Sequence, residues 1–298
     1  MSLARVYPED LRRGALLMIA SGLLFSTIGA LVKYLSAELP NEMVVFFRSV
    51  MGLLALLPWV LHRGLGQLKT KRLRGHLGRG LAGVSAMYCY FYAIAHLPLA
   101  EAVLLNYSTP LFIPFIAALW LGEQVSPRLW VAIGTGFVGI VLILKPGLGL
   151  FTPVSLIGLA SGLFAALAMV SIRRLSNTEP TLRIVFYFSL VCTAVSAVPL
   201  AWRWQTPDPG LWILLLGMGA LASLAQLLLT RAYAHAPAAQ VGPFTYSTVV
   251  FAAGIGWIFW SEIPDLLSFG GTALVCLAGI MTIRFAGQRL LSEAKLAK

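Results

Sequence analysis

Ala95-His96-Leu97-Pro98 and Ala234-His235-Ala236-Pro237 stand 139 positions apart (His96 to His235) in a chain of 298 residues, and the match continues at that offset. Tyr107-Ser108-Thr109 falls on Tyr246-Ser247-Thr248, and Glu123 falls on Glu262. At an offset of 140 (Gly22 to Gly162), Ala20-Ser21-Gly22-Leu23 falls on Ala160-Ser161-Gly162-Leu163, and Lys33, Leu35 and Ser36 fall on Arg173, Leu175 and Ser176. Self-similarity over such a length means one structural unit used twice. The two copies read as residues 1–146 and 147–298.

Composition says what that unit is made of. Hydrophobic residues make up 59% of the chain and charged residues 11%, against about 25% charged in an average soluble domain. A bilayer-spanning helix needs about 20 mostly apolar residues. Apolar runs between charged, polar and proline-rich breaks predict spans near 14–35, 41–62, 76–97, 98–121, 128–145, 153–174, 182–202, 210–235, 236–261 and 266–285. These use up the chain, leaving no stretch for a water-soluble catalytic or nucleotide-binding domain. Five spans per copy is an odd number, so the second copy crosses the membrane in the opposite sense. The expected fold is an all-α membrane protein of ten transmembrane helices in two inverted five-helix repeats. Such repeats rock about a site near the midplane, which is alternating access.

The net charge of +11 reads as topology rather than nucleic-acid binding. Of the 22 basic residues, 17 fall in the segments that are cytoplasmic if the N-terminus is; Lys33, Lys145 and Arg203 lie at the opposite ends, and Arg48 and Arg231 within spans. Both termini are therefore expected in the cytoplasm, with the lipid bilayer as partner and no nucleic acid. Cys89, Cys192 and Cys276 lie far apart in apolar runs, in neither metal-ligand nor disulfide spacing. The stretch up to Arg13 carries both signs of charge and lacks a cleavage-site pattern, so the first helix is expected to be retained.

The run Tyr92-Ala-Ile-Ala-His96-Leu-Pro98-Leu-Ala-Glu101-Ala, followed by Ser108-Thr-Pro110-Leu-Phe and Leu121-Gly-Glu123, resembles the fourth-helix signature of the EamA family in the drug/metabolite transporter superfamily. A weaker copy ends at Trp260-Ser-Glu262, with Gln240 in place of Glu101 and Val249 in place of Pro110. In length and layout the chain is similar to bacterial aromatic amino-acid exporters. The resemblance implies an inner-membrane carrier, and family members include exporters of amino acids and importers of cofactors such as riboflavin or S-adenosylmethionine.

Candidate substrate-binding residues follow from depth. Tyr107 and Tyr246 sit near the middle of the fourth and ninth spans, and polar atoms are costly there. Asn106 and Ser108 precede Pro110 and Pro114, while Ser247 follows Pro243; prolines free carbonyls and bend helices. In the third span Tyr88 and Tyr92 share a face, suited to a flat or amphipathic substrate, although Tyr92 lies a turn from the helix end. Gln226, Trp257, Phe25, Ser26, Phe164 and Tyr187 are expected at central depths, mostly as packing. Arg48 lies seven residues into the second span, about 10 Å along it. It either meets a substrate carboxylate or snorkels to the surface. The glycines of Gly158-x-x-x-Gly162 and Gly134-x-Gly136-x-x-Gly139 read as packing contacts.

Glu101, Glu123, Glu262 and Asp265 fall at span ends, leaving no carboxylate at the midplane for a proton or sodium relay. Facilitated diffusion or exchange is expected, with His96 and Glu101 the only proton-sensing candidates. The leading reading is a transporter exporting small amphipathic metabolites, chiefly aromatic or apolar amino acids, as a monomer or homodimer. Import of a nucleoside-like or flavin cofactor is the alternative. An intramembrane enzyme is disfavoured, since no catalytic residue set, metal site or cofactor site is recognisable.

Overall fold

The computed structural model describes residues 11–121, 127–144, 152–176, 178–235, 242–263 and 265–296. Among them the protein is all helix: α1 (Leu11–Glu38), α2 (Asn41–Arg63), α3 (Leu73–His96), α4 (Leu99–Asn106), α5 (Thr109–Leu121), α6 (Pro127–Leu144), α7 (Pro153–Ser176), α8 (Thr181–Ala197), α9 (Leu200–Arg203), α10 (Pro209–His235), α11 (Ser247–Trp260) and α12 (Leu266–Leu296). Short 3-10 segments cover Leu65–Leu68 and Gly242–Tyr246. Proline marks most starts: Pro40, Pro98, Pro180 and Pro199 precede helices, and Pro127, Pro153 and Pro209 open them. The missing N–H costs nothing there, because the first turn has no carbonyl to receive it.

Four helical stretches, Arg12–Glu38, Asn41–His62, Pro153–Ile172 and Pro209–Gln226, are long and apolar enough to cross a membrane; five shorter apolar segments accompany them. The basic start of α3, with Arg74, His76 and Arg79, separates it from both groups.

Two expected helices are broken. The 98–121 segment divides at Tyr107 and Ser108 into α4 and α5, one turn before Pro110, whose ring and missing donor oppose a continuous helix. The 182–202 segment ends at Ala197, and α9 restarts after Pro199. The expected 236–261 span is described from Gly242, where it begins as a 3-10 segment. The 146/147 boundary and Glu123 lie outside the described residues.

The helices pack in an order that survives exchange of residues 11–144 with 153–296. α1 packs on α10 as α7 packs on α3, and α2 on α10 as α8 on α3. α1 meets α11 as α7 meets α4 and α5, while α2–α8, α4–α11 and α6–α12 exchange with themselves. Small residues permit the closest approaches. A Cβ added at Gly22 would lie 2.7 Å from Ser247 Oγ and 2.9 Å from Thr248 Oγ1; one added at Gly162 would lie 2.6 Å from Ser108 Oγ and 2.8 Å from the Leu105 carbonyl. The repeated Ser-Gly steps thus sit at corresponding crossings.

The ends of the bundle carry its polar ties. At one end Lys33 of α1 pairs with Glu262 and donates to the Leu97 carbonyl at 2.7 Å, and Glu262 accepts the Leu99 N–H at 2.7 Å. Arg203 lies 3.8 Å from Glu42 at the same end. At the other end buried Glu179 receives Arg183 at 2.6 Å and Thr70 at 2.7 Å, with His76 Nε2 3.7 Å away.

Candidate functional site

Between these ends lies a large apolar core from α1 to α6, α8 and α10 to α12, in which Tyr246 is buried and against which Tyr88, Tyr90 and Tyr107 pack. Tyr107 caps α4 at the helix break, and Tyr246 ends the 3-10 segment before α11. Both tyrosines therefore stand where regular helix gives way, which turns their rings out of a simple helical stripe. Tyr107 lies within electrostatic reach of both Tyr246 and Tyr90. The three aromatic hydroxyls come from both halves of the chain. Sequence reading passed over Tyr90, which lies on a different helical face from Tyr88 and Tyr92.

Tyr246 is 6% exposed and its hydroxyl is buried with no hydrogen-bond partner. Its ring presses on the backbone of Gly279 in α12, where no side chain fits. Ser247 Oγ is likewise buried and unpartnered, against Gly22. Ser26 bridges the same crossing by donating to the Thr248 carbonyl at 2.8 Å.

Several sequence candidates are committed to packing instead. Ser108 is fully buried, donates to the Leu105 carbonyl at 2.6 Å and fills the space over Gly162 between the helices. Asn106 donates to Ser161 Oγ at 3.1 Å, and Thr109 to the Asn106 carbonyl at 2.6 Å. Tyr92 stacks on His96 with centroids 4.2 Å apart, and the His96 ring nitrogen lies 2.8 Å from the Tyr92 carbonyl. That pair occupies the end of α3, the interfacial alternative for Tyr92.

Trp257 is 62% exposed, on the side of α11 that also carries Val250 at 70%, and Gln226 is exposed on α10. Neither is buried in the core. Tyr187 is not central either: its hydroxyl donates to the Leu68 carbonyl at 3.0 Å and its ring stacks on His76. An all-apolar helix such as α11 has no polar face to announce which side is lipid.

On the opposite side of the core, among α2, α3 and α8, lie Tyr88, Arg48 and Arg79. Asn41 donates to the Tyr88 carbonyl at 3.1 Å, while the Tyr88 hydroxyl is buried and unpartnered. Arg79 lies over the Phe188 ring at 4.0 Å, with Nε and Nη1 buried and unpartnered. Cys192 is within electrostatic reach of both arginines.

Comparison with known proteins places this geometry in a family. Residues 12–145 and 152–284 each match the model of the EamA-like transporter family. The chain is 41% identical over 278 residues to the pseudopaline exporter CntI of Pseudomonas aeruginosa, covering 92% of this chain and 97% of that one. It is 28% identical over 290 residues to a riboflavin transporter of Vibrio cholerae, covering 96% and 97%. A solved crystal structure at 21% identity shares the fold with a TM-score of 0.65, over 94% of this chain and all of the other. The chain is a membrane protein that belongs to the EamA-like transporter family.

Proposed function

We propose that the chain is a bacterial inner-membrane exporter of small amphipathic metabolites, working by alternating access between two inverted five-helix repeats, residues 1–146 and 147–298, with ten spans and both termini cytoplasmic. The observation that carries this reading is that Tyr107, from one copy, lies within electrostatic reach of Tyr246, from the other, and of Tyr90. A site shared between exchange-related halves is one that their rocking exposes to either side. The exchange symmetry of the packing supports two like halves, and five expected spans in each imply the inversion. Likeness to the pseudopaline exporter supports outward movement. The cargo is an aromatic or apolar amino acid or a compound of pseudopaline's kind, moved by facilitated diffusion or exchange, since no carboxylate lies at mid-span.

Import of a flavin-like cofactor is the second reading, favoured by the riboflavin transporter. Counterflow into proteoliposomes separates the two, with labelled phenylalanine, pseudopaline and riboflavin offered in turn. Export predicts counterflow of phenylalanine or pseudopaline that Tyr107→Ala lowers about tenfold or more while the variant stays folded. Counterflow confined to riboflavin would move the assignment to import, and undiminished flux in Tyr107→Ala would remove the tyrosine site.

A further inference from the structure

Arg48 and Arg79 enter the bundle from opposite ends. Arg48 is seven residues along α2 from Asn41, and Arg79 six residues along α3 from Leu73, each about 10 Å into its helix. They lie within electrostatic reach of each other and of Cys192, which sits beyond the middle of α8. α2, α3 and α8 are in mutual contact. The two cations therefore converge on one interior region.

Among the described residues nothing neutralises them. All eleven Asp and Glu residues lie in connections, near helix ends or in the terminal stretches. Of those nearest, Glu42 faces Arg203 at the rim and Glu179 is taken by Arg183 and Thr70. Neither Arg48 nor Arg79 makes a hydrogen bond or ion pair with another described residue. Phe188 offers Arg79 a ring face, but Nε and Nη1 stay unsatisfied. The buried Tyr88 hydroxyl, also within electrostatic reach of Cys192, adds another unused donor.

A lone interior arginine is costly, and two within reach repel. With no acceptor supplied by the described residues, the two guanidiniums form a cradle for an anion. The planar guanidinium fits a carboxylate with two parallel hydrogen bonds. We propose that Arg48 and Arg79 form an anion subsite that takes a substrate carrying at least two carboxylates, one on each guanidinium. This rests on the transporter reading and narrows its cargo from amphipathic metabolites in general to polycarboxylates with an apolar or aromatic part facing Tyr107 and Tyr246.

The test uses the purified full-length protein, with citrate and glutarate as probes and glutaramide as the uncharged control, at constant ionic strength. Binding is read from tryptophan fluorescence and from the thermal midpoint. The expected result is saturable binding of both carboxylates, absent for glutaramide. Arg48→Gln and Arg79→Gln each weaken it about tenfold or more, and Arg48→Lys and Arg79→Lys fall between these and wild type because they keep charge and lose the fork. Should a glutamine variant fail to fold, the lysine variant decides at that position. Equal affinity in wild type and the folded variants, or no preference of citrate and glutarate over glutaramide, overturns the inference. Counterflow of neutral amphipathic solutes without carboxylate binding would sink it and leave the transporter reading standing. Carboxylate binding without counterflow of any solute would do the reverse.

Discussion

The crossing of α1 over α11 and the crossing of α7 over α4 and α5 are built from the same step, Ser-Gly against Tyr-Ser-Thr, yet they are finished differently. At the first, Gly22 faces the side chains of Ser247 and Thr248, and Ser26 ties the helices by a bond to the Thr248 carbonyl. At the second, Gly162 faces the backbone carbonyls of Leu105 and Asn106 as well as Ser108, and the tie runs from Asn106 to Ser161. The position equivalent to Ser26 is Ala166. Their tyrosines differ too: Tyr246 is locked against Gly279, whereas Tyr107 is half-buried at a helix break. One tyrosine is buried against backbone, and the other is half-buried at the break.

The largest effect is expected where that packing is tightest. Gly279→Ala puts a methyl group where the Tyr246 hydroxyl lies, and overpacking of this kind costs about 3 kcal/mol. Scanning fluorimetry should show a large fall in thermal midpoint, which Tyr246→Ala in the same chain partly restores. Tyr246→Phe alone should be neutral or stabilising, because it removes a buried hydroxyl without a partner. An unaffected midpoint in Gly279→Ala would erase the contrast between the tyrosines.

Next come the glycines. Gly162→Ala meets backbone, which yields little, and should cost about 2 kcal/mol; Gly22→Ala meets mainly hydroxyl groups that rotate away and should cost about half as much. Equal losses would mean that the crossings are equivalent after all. Ser26→Ala makes α1 match α7 at this position and should cost about 0.6 kcal/mol, a typical value for such bonds between membrane helices.

The smallest effect lies at the end held by Glu179. Burial alone would raise its carboxyl, but donors on Arg183 and Thr70, with the Arg183 charge, outweigh it and hold the group below its ordinary value. A group lowered by folding stabilises above its unfolded value, about 4.3 for glutamate, and loses that contribution as pH falls through the folded one. The thermal midpoint of wild type should therefore drop on acidification through this range relative to that of Glu179→Gln. Parallel curves would show that Glu179 contributes nothing there.

Most helices were legible because apolar runs of membrane length leave little choice, and the paired motifs picked out Tyr107 and Tyr246, which lie within electrostatic reach of each other. The break at Tyr107 was less so: Pro110 signals a bend, but whether a helix bends or restarts depends on the neighbour, here the Gly162 backbone. Ser108 illustrates a polar residue whose partner was not legible, since its bond to the Leu105 carbonyl is invisible in sequence. Arg79 was assigned to the basic segment that sets topology, although it falls within the expected third span beside Gly80 and Gly83. Those glycines let α8 approach: a Cβ on Gly80 would lie 2.5 Å from Val191 Cγ1. Charge within a span was the signal that pointed to it.

The central claim is that the two halves move against each other around a shared site. It is tested most directly in a chain free of Cys89, Cys192 and Cys276, with Lys33→Cys and Glu262→Cys joined by a reducible bis-thiol cross-linker at the end where this pair ties α1 to the segment following α11. Counterflow of the solute that the wild type carries should stop on cross-linking and return on reduction. Unchanged counterflow in fully cross-linked protein would contradict alternating access through this bundle.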